Sequence, residues 1–295
     1  QINEVVNSCK KIKILSGISD EDLESYYRKC AFTVFPSKEE GFGLPIMESL
    51  WHGKPCICAN FGAMKEVAKE GGCLMVDTKK PELIFDAISK MILDINYREE
   101  LSKEAILRKI ETWSDYGNHF INKIDEVSNP FKHVGSIYYF VDHTCTFPTN
   151  SGIQRVVRSL AHTLIKNGLK LVPVKWDNIN LKFYPVSEDE KLCLSKYNGP
   201  NAEHWINFSE PLEIKTTDWF LCAELTHNQT SDILKYTKKI GLRRAYLFYD
   251  AIPLKMKDIY PPEATKAHGE YMEHLNNCEK VFPISNYSRL DLISF

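Results

Sequence analysis

Phe35-Pro36-Ser37-Lys38-Glu39-Glu40-Gly41-Phe42-Gly43-Leu44-Pro45-Ile46-Met47-Glu48 is the stretch whose reading decides the fold. The apolar run Ala31–Phe35 leads into it as a buried strand. Pro45 suits the first turn of a helix, and Gly53 closes that helix after His52. Open α/β sheets place ligands in such a loop, at the carboxyl end of a strand. Gly41 and Gly43 let backbone N–H groups approach a ligand with no Cβ in the way. The helix end behind Leu44-Pro45 offers amides and a positive dipole to an anion. Glu48 reads as a first-turn residue whose side chain leans back toward that end. Two carboxylates, Glu40 and Glu48, would repel a phosphate unless they served hydroxyls. Because a carboxylate accepts both protons of a cis-diol, the expected guests are sugar or ribose hydroxyls. A plain strand–turn–helix with solvated glutamates is the alternative on the residues alone.

Working outward, residues 12–127 alternate short apolar runs with helical patterns, which predicts an α/β fold with a parallel sheet. Strands are expected at Ile12–Leu15, Ala31–Phe35, Pro55–Ala59 and Cys73–Val76. Helices are expected from Asp20, over Pro81–Leu93 and Tyr97–Thr112, and from Trp113 to Val127. Ser128-Asn129-Pro130 breaks the pattern, so residues 128–135 are expected to link a first domain, 1–127, to a second, 136–295. The second domain begins a fresh α/β unit. Ile137–Val141 is a strand, Thr149-Asn150-Ser151-Gly152 a turn and Ile153–Asn167 an amphipathic helix. Further strands follow at Leu169–Val174, Trp219–Ala223, Ala245–Tyr249 and Lys280–Ile284. Residues 176–211 show little periodicity. Two Rossmann-like layers result.

The 295 residues carry 37 Lys+Arg against 39 Asp+Glu, a balance without the basic footprint of a nucleic-acid binder. At 43% hydrophobic, the composition is that of a folded globular chain rather than a disordered one. Nine cysteines form no C-x-x-C pair or zinc spacing, and they read as core thiols in a reducing, cytoplasmic setting. No G-x-G-x-x-G follows a strand with an acidic residue about 20 positions on, which argues against a dinucleotide oxidoreductase.

The pair Glu40 and Glu48 around Gly-Phe-Gly-Leu-Pro resembles the paired-glutamate motif of the retaining GT-B glycosyltransferases of family four. The neighbouring Gly17-Ile18-Ser19-Asp20-Glu21-Asp22-Leu23, His52-Gly53-Lys54-Pro55 and Phe61-Gly62-Ala63-Met64-Lys65-Glu66-Val67 agree with it, as does Trp113 opening a helix. The resemblance covers residues 12–127 and implies a carboxyl-terminal, nucleotide-sugar donor-binding lobe. It implies that Glu48 grips the ribose, that Glu40 with the backbone of Gly41, Phe42 and Gly43 holds the sugar, and that the Leu44 amide faces the diphosphate. Ser37 is a further expected contact, and Glu39 is expected to be solvated. No metal or other cofactor is implied, the nucleoside-diphosphate sugar being the substrate. The family's Arg/Lys pair for the diphosphate would lie before residue 1.

Residues 136–295 resemble the acceptor lobe of bacterial polysaccharide enzymes in the same superfamily. Thr149-Asn150-Ser151-Gly152-Ile153-Gln154-Arg155-Val156-Val157-Arg158 is similar to that lobe's glycine loop and first helix, with Gly152 as a donor contact. A bare turn with surface arginines is the other reading. Tyr246-Leu247-Phe248-Tyr249-Asp250-Ala251-Ile252-Pro253-Leu254 is similar to the family's His-Asp-x-Ile-Pro segment. Tyr249 stands where His is common, so Asp250 is the expected catalytic residue beside Glu40. His143, His162, His204, His227, His268 and His274 have no nameable partners in the sequence. A donor lobe before an acceptor lobe suggests a piece of a tandem two-module enzyme, weak or inactive alone; a circular permutation and a catalytically silent nucleotide-sugar-binding module are the alternatives. The resemblance implies a mannose- or rhamnose-like donor, and a glycan or lipid-linked acceptor of polysaccharide or O-antigen assembly. It places that work in the cytoplasm, with membrane-face association through other regions.

Overall fold

The computed structural model describes residue 9 and residues 11–125 and 135–295. The expected break at Ser128-Asn129-Pro130 lies outside them. The chain divides into two compact units. The first runs to Lys38 and from Gly43 to Arg108; the second takes Glu39–Phe42 and everything from Lys109. Both are α/β.

In the first unit, helix α1 (Asp20–Lys29) starts on Ser19, whose hydroxyl accepts from the Asp22 amide. Strands β1 (Thr33–Phe35), β2 (Cys56–Ala59) and β3 (Cys73–Val76) pair in parallel in that order. Between them run α2 (Leu44–Trp51) and α3 (Gly62–Ala68), and α4 (Pro81–Leu93) and α5 (Ile95–Leu107) follow. The central strand β2 is wholly buried, and Ile57 packs on Ala87, Met91 and Leu101 of α4 and α5. Two expectations fail here. Ile12–Leu15 joins no sheet, and Ile12, Ile14 and Leu15 are exposed; with no neighbour, a strand there has no ladder for its backbone groups. The strand before the glycine loop is a short edge strand, with Val34 38% exposed, rather than a buried one.

In the second unit, six strands stand in the order β6-β5-β4-β7-β8-β9: β4 (Ser136–Phe140), β5 (Lys170–Asp177), β6 (Lys182–Pro185), β7 (Trp219–Cys222), β8 (Arg243–Phe248) and β9 (Lys280–Pro283). All pairs are parallel except β5 with β6. Strand alternation sends successive side chains to opposite faces. Tyr139, Leu171, Trp219, Leu221 and Leu247 therefore meet helix α8 (Gly152–Lys166) through Val157, Leu160 and Leu164. Tyr138, Phe140, Phe220, Tyr246 and Phe248 meet α10 (Thr230–Lys239) and α12 (Pro262–Leu275) on the other face. Helix α6 (Trp113–Asp125) belongs to this unit, not to the first as the 1–127 reading expects. Its Phe120 is buried in the same cluster as Leu160, with Trp113, Tyr116 and Ile121 packed against it. The short helices α7 (Asp142–Thr146), α9 (Glu188–Leu194) and α11 (Ile252–Lys255), and α13 (Asn286–Ser294), complete the unit. Strand β6, helix α9 and helix α10 have no counterpart in the sequence reading.

Candidate functional site

The first unit holds Ser37, Gly43, Leu44 and Glu48. Gly43 takes φ 99°, a left-handed conformation that favours glycine, and is the N-cap of α2 with no side chain capping that end. A Cβ there would stand 3.3 Å from Ile46. Pro45 has no N–H, and the Ile46 N–H donates to the Gly43 carbonyl at 3.1 Å. The anion-binding reading of this helix end therefore rests on the Leu44 amide. Glu48 is the fifth residue of α2, not a first-turn residue, because the helix starts at Leu44. Its Oε2 accepts from the Tyr27 hydroxyl at 2.9 Å, and the Tyr27 ring stacks on His52 at 5.4 Å. Tyr27 thus orients the carboxylate, a role that no motif around Tyr27 announces. The Ser37 carbonyl accepts from Thr78 Oγ1 at 3.0 Å, which fixes the chain just after β1.

Glu40, Gly41 and Phe42 group with the second unit. A Cβ on Gly41 would lie 2.4 Å from the Tyr249 carbonyl oxygen, so only glycine fits this approach of two backbones. The Gly41 carbonyl accepts from Ser285 Oγ at 2.6 Å and Ser288 Oγ at 2.9 Å. Glu39 is not merely solvated: Lys255 pairs with it at 2.7 Å, and the Tyr287 hydroxyl donates to it at 2.9 Å.

Asp250 follows β8. Burial raises its carboxyl above the usual range, against the pull of the Ile252 amide, which donates to Oδ1 at 2.9 Å. Tyr249 is 7% exposed and donates its hydroxyl to the Ala223 carbonyl at 2.6 Å, so its phenol serves the core. His268, one of the histidines without a nameable partner in the sequence, is buried with Nε2 2.9 Å from the Asp250 carbonyl oxygen. Burial holds its pKa below the ordinary histidine value.

Gly152 is the first residue of α8, behind a complete capping box. Ser151 Oγ accepts from the Gln154 amide, and Gln154 Oε1 accepts from the Ser151 amide. Arg158 is no surface arginine: it is 1% exposed and donates to the Thr149 carbonyl at 2.8 Å, to Asn150 Oδ1 at 3.3 Å and to the Thr144 carbonyl at 3.4 Å. The chain leaves β4 for a neighbour on one side and β7 lies on the other, so the switch point of the sheet opens over the loops after β4 and β7. Glu224 sits there at 2% exposure and accepts from the His143 and Thr144 amides at 2.9 and 2.7 Å. Burial pushes its carboxyl up to about 7, against those bonds. Neither Arg158 nor Glu224 carries a signal that would single out its buried role in the sequence.

Two Rossmann-like units with glycine loops and carboxylates at strand ends are the parts of the GT-B glycosyltransferase architecture. Residues 6–108 match the family described as Glycosyl transferases group 1. O-antigen chain mannosyltransferase B of Escherichia coli is 32% identical over 112 residues, 38% of this chain and 29% of that protein. A serotype-specific mannosyltransferase WbdA of Escherichia coli is 21% identical over 285 residues, covering 81% of this chain and 34% of that protein. D-inositol 3-phosphate glycosyltransferase of Corynebacterium efficiens is 31% identical over 98 residues, 33% of this chain and 23% of that protein. No solved structure matches the chain. The chain spans about a third or less of the length of these relatives. What these matches show is a likeness of residues 6–108 to glycosyltransferases of group 1. No helix among the described residues is long and apolar enough to cross a membrane.

Proposed function

We propose that the first unit binds the nucleoside-diphosphate sugar of a retaining glycosyltransferase, and that the second belongs to the acceptor lobe of a following module. The observation that carries the donor site is the left-handed Gly43 at an uncapped helix end, with Glu48 held one turn on by Tyr27. In this reading the Leu44 amide meets the diphosphate, Glu48 takes the ribose hydroxyls, and Ser37 borders the nucleotide. Glu40 is the carboxylate that the resemblance assigns to the sugar hydroxyls; with Gly41 and Phe42 it groups with the second unit, so the first unit's own share of the reading is Ser37, Gly43, Leu44 and Glu48. The departing phosphate takes the acceptor proton on the face it leaves. The protein's part is to position the reactants and stabilise charge. Asp250 and Gly152 act from the second unit toward the acceptor and its donor. The donor is a substrate, and the scheme calls on no separate cofactor. The mannosyltransferase relatives support a mannose-like sugar and a growing glycan as acceptor. The tandem arrangement is supported by the relative that matches across 81% of this chain while this chain covers 34% of it.

The test is thermal shift of the chain and of Glu48→Ala with UDP, GDP, dTDP and NAD. A nucleotide at 100 times its Kd stabilises by about 2.7 kcal/mol. One nucleoside diphosphate should stabilise the parent and fail with Glu48→Ala. Stabilisation by NAD alone, or an equal response from Glu48→Ala, removes the donor-site reading.

A further inference from the structure

Where α6 crosses α8 in the second unit, a cavity of about 480 Å³ opens that none of the roles above uses. Trp113, Ser159, His162, Ser195, Asn198 and Asn201 line it, with Thr163 and Gly199 completing the wall. Its volume falls inside the roughly 300–1,000 Å³ range of ligand pockets, and its lining, one aromatic ring among six polar side chains, is more polar than the usual one.

Two glycines build its walls. A Cβ on Gly117 would lie 2.2 Å from Thr163 Cγ2, so glycine is what lets α6 come this close to α8. A Cβ on Gly199 would lie 1.9 Å from the Leu194 carbonyl oxygen, and the preceding Tyr197 and Asn198 take φ 53° and 63°. The turn after α9 is therefore folded back tightly on the helix end, and it carries Asn198 and Asn201 to the rim.

The lining chemistry selects the guest. It contains no Asp, Glu, Lys or Arg, so nothing in it would neutralise a phosphate or a carboxylate. It does bring two carboxamides, an imidazole and hydroxyls, which donate and accept toward neutral hydroxyl groups. Ser195 Oγ and Thr163 Oγ1 spend their protons on the Lys191 and Ser159 carbonyls and so turn acceptor lone pairs outward. Trp113 supplies the apolar surface that the C–H face of a sugar ring needs.

We infer that this cavity is a secondary glycan-binding site for a neutral hexose oligosaccharide, separate from the residues proposed to hold the nucleotide sugar. Such a site would keep a growing chain attached between transfers, and its existence does not depend on the donor-site reading.

The experiment is isothermal titration of the whole chain with mannotetraose, repeated for Trp113→Ala, His162→Asp, Asn201→Asp and Glu48→Ala. Trp113 also packs against the core, so the two aspartate variants, at exposed positions, provide the test that folding cannot confound. Saturable binding is expected in the parent and in Glu48→Ala. It should weaken about tenfold, or 1.4 kcal/mol, in each of the other three. Absence of saturable heat across a millimolar titration of the parent overturns the inference. So does parent-like binding by both aspartate variants, or loss of binding in Glu48→Ala, which would move the sugar to the donor site.

Discussion

Each unit buries one arginine against backbone carbonyls, and the two are resolved differently. Arg108 ends the first unit, its side chain 7% exposed, bonded to the Val67 carbonyl at 2.5 Å and the Gly71 carbonyl at 3.4 Å, with Glu70 at 3.5 Å as a half-exposed counter-charge. Arg158 lies within the second unit, and its hydrogen-bond acceptors are two carbonyls and a carboxamide, all neutral. Burial holds its guanidinium below the ordinary arginine value. The first unit closes its core at an edge where a half-exposed carboxylate shares the charge. The second uses a charge as an internal brace for the loop between β4 and α8.

That contrast predicts the largest effect. Arg158→Met strips the buried Thr144 carbonyl and the carbonyl of exposed Thr149 of a donor, at about 1–3 kcal/mol for a buried group left unpaired and less for an exposed one, and should cost about 3 kcal/mol. Arg108→Met, at the edge beside half-exposed Glu70, should cost about half of that. Urea unfolding read by tryptophan emission separates them, since Trp113, Trp176, Trp205 and Trp219 lie in the second unit and Trp51 in the first. Equal losses would mean that the second unit's brace is no more deeply committed than the first unit's edge.

The next test concerns the other end of the same loop, where Glu224 takes the amides of His143 and Thr144. Its folded carboxyl, at about 7, is raised from an ordinary 4.5. The folded state thus binds more protons than the unfolded one between those values, so this stability is fully present below about pH 4.5 and is lost as pH rises through 7. The total is of the order of 3 kcal/mol at most. Glu224→Gln should flatten the fall in stability between pH 5 and pH 8 that the parent shows. A parent and variant with parallel pH profiles would show that Glu224 titrates normally.

The units also differ in how much their residues disclose. In the first, the glycine spacing discloses the turn into α2, because that loop needs Gly43 at positive φ. The fold around it is legible from β2 outward. Ile12–Leu15 is not, since an apolar run carries no information on whether a neighbouring strand is there to pair with it. In the second, alternation reveals the strands Ile137–Val141 and Trp219–Ala223 to within a residue or two. Strand β6 and helix α9 are hidden in the polar stretch after Trp176, because an edge hairpin and a short capped helix need few apolar residues. Arg158, Glu224 and His268 are illegible for another reason. A buried polar residue is defined by what surrounds it, and Arg158 in Gln154-Arg155-Val156-Val157-Arg158 looks like any charge on a helix. Glu39 fails likewise, since Lys255 and Tyr287, its partners, are more than two hundred positions away.

The smallest effect tests how firmly residues 39–42 belong to the second unit. Ser288 is fully buried and shares its hydroxyl between the Gly41 carbonyl at 2.9 Å and the Tyr249 carbonyl at 2.6 Å. Ser285 Oγ also reaches Gly41 and accepts from the Ser288 amide, so it holds the loop if Ser288 changes. Ser288→Ala removes one shared donor from two carbonyls, one of which keeps a partner, and should lower stability by about 1 kcal/mol. Gly41→Ala instead forces a methyl to 2.4 Å from the Tyr249 carbonyl oxygen, which backbone cannot yield, so the loop itself must move. Amide hydrogen exchange across residues 39–44 distinguishes the two: little change is expected for Ser288→Ala, and a clear loss of protection for Gly41→Ala. If Ser288→Ala loosens the loop as much as Gly41→Ala does, the hydroxyls hold it in place and the tight backbone approach is secondary.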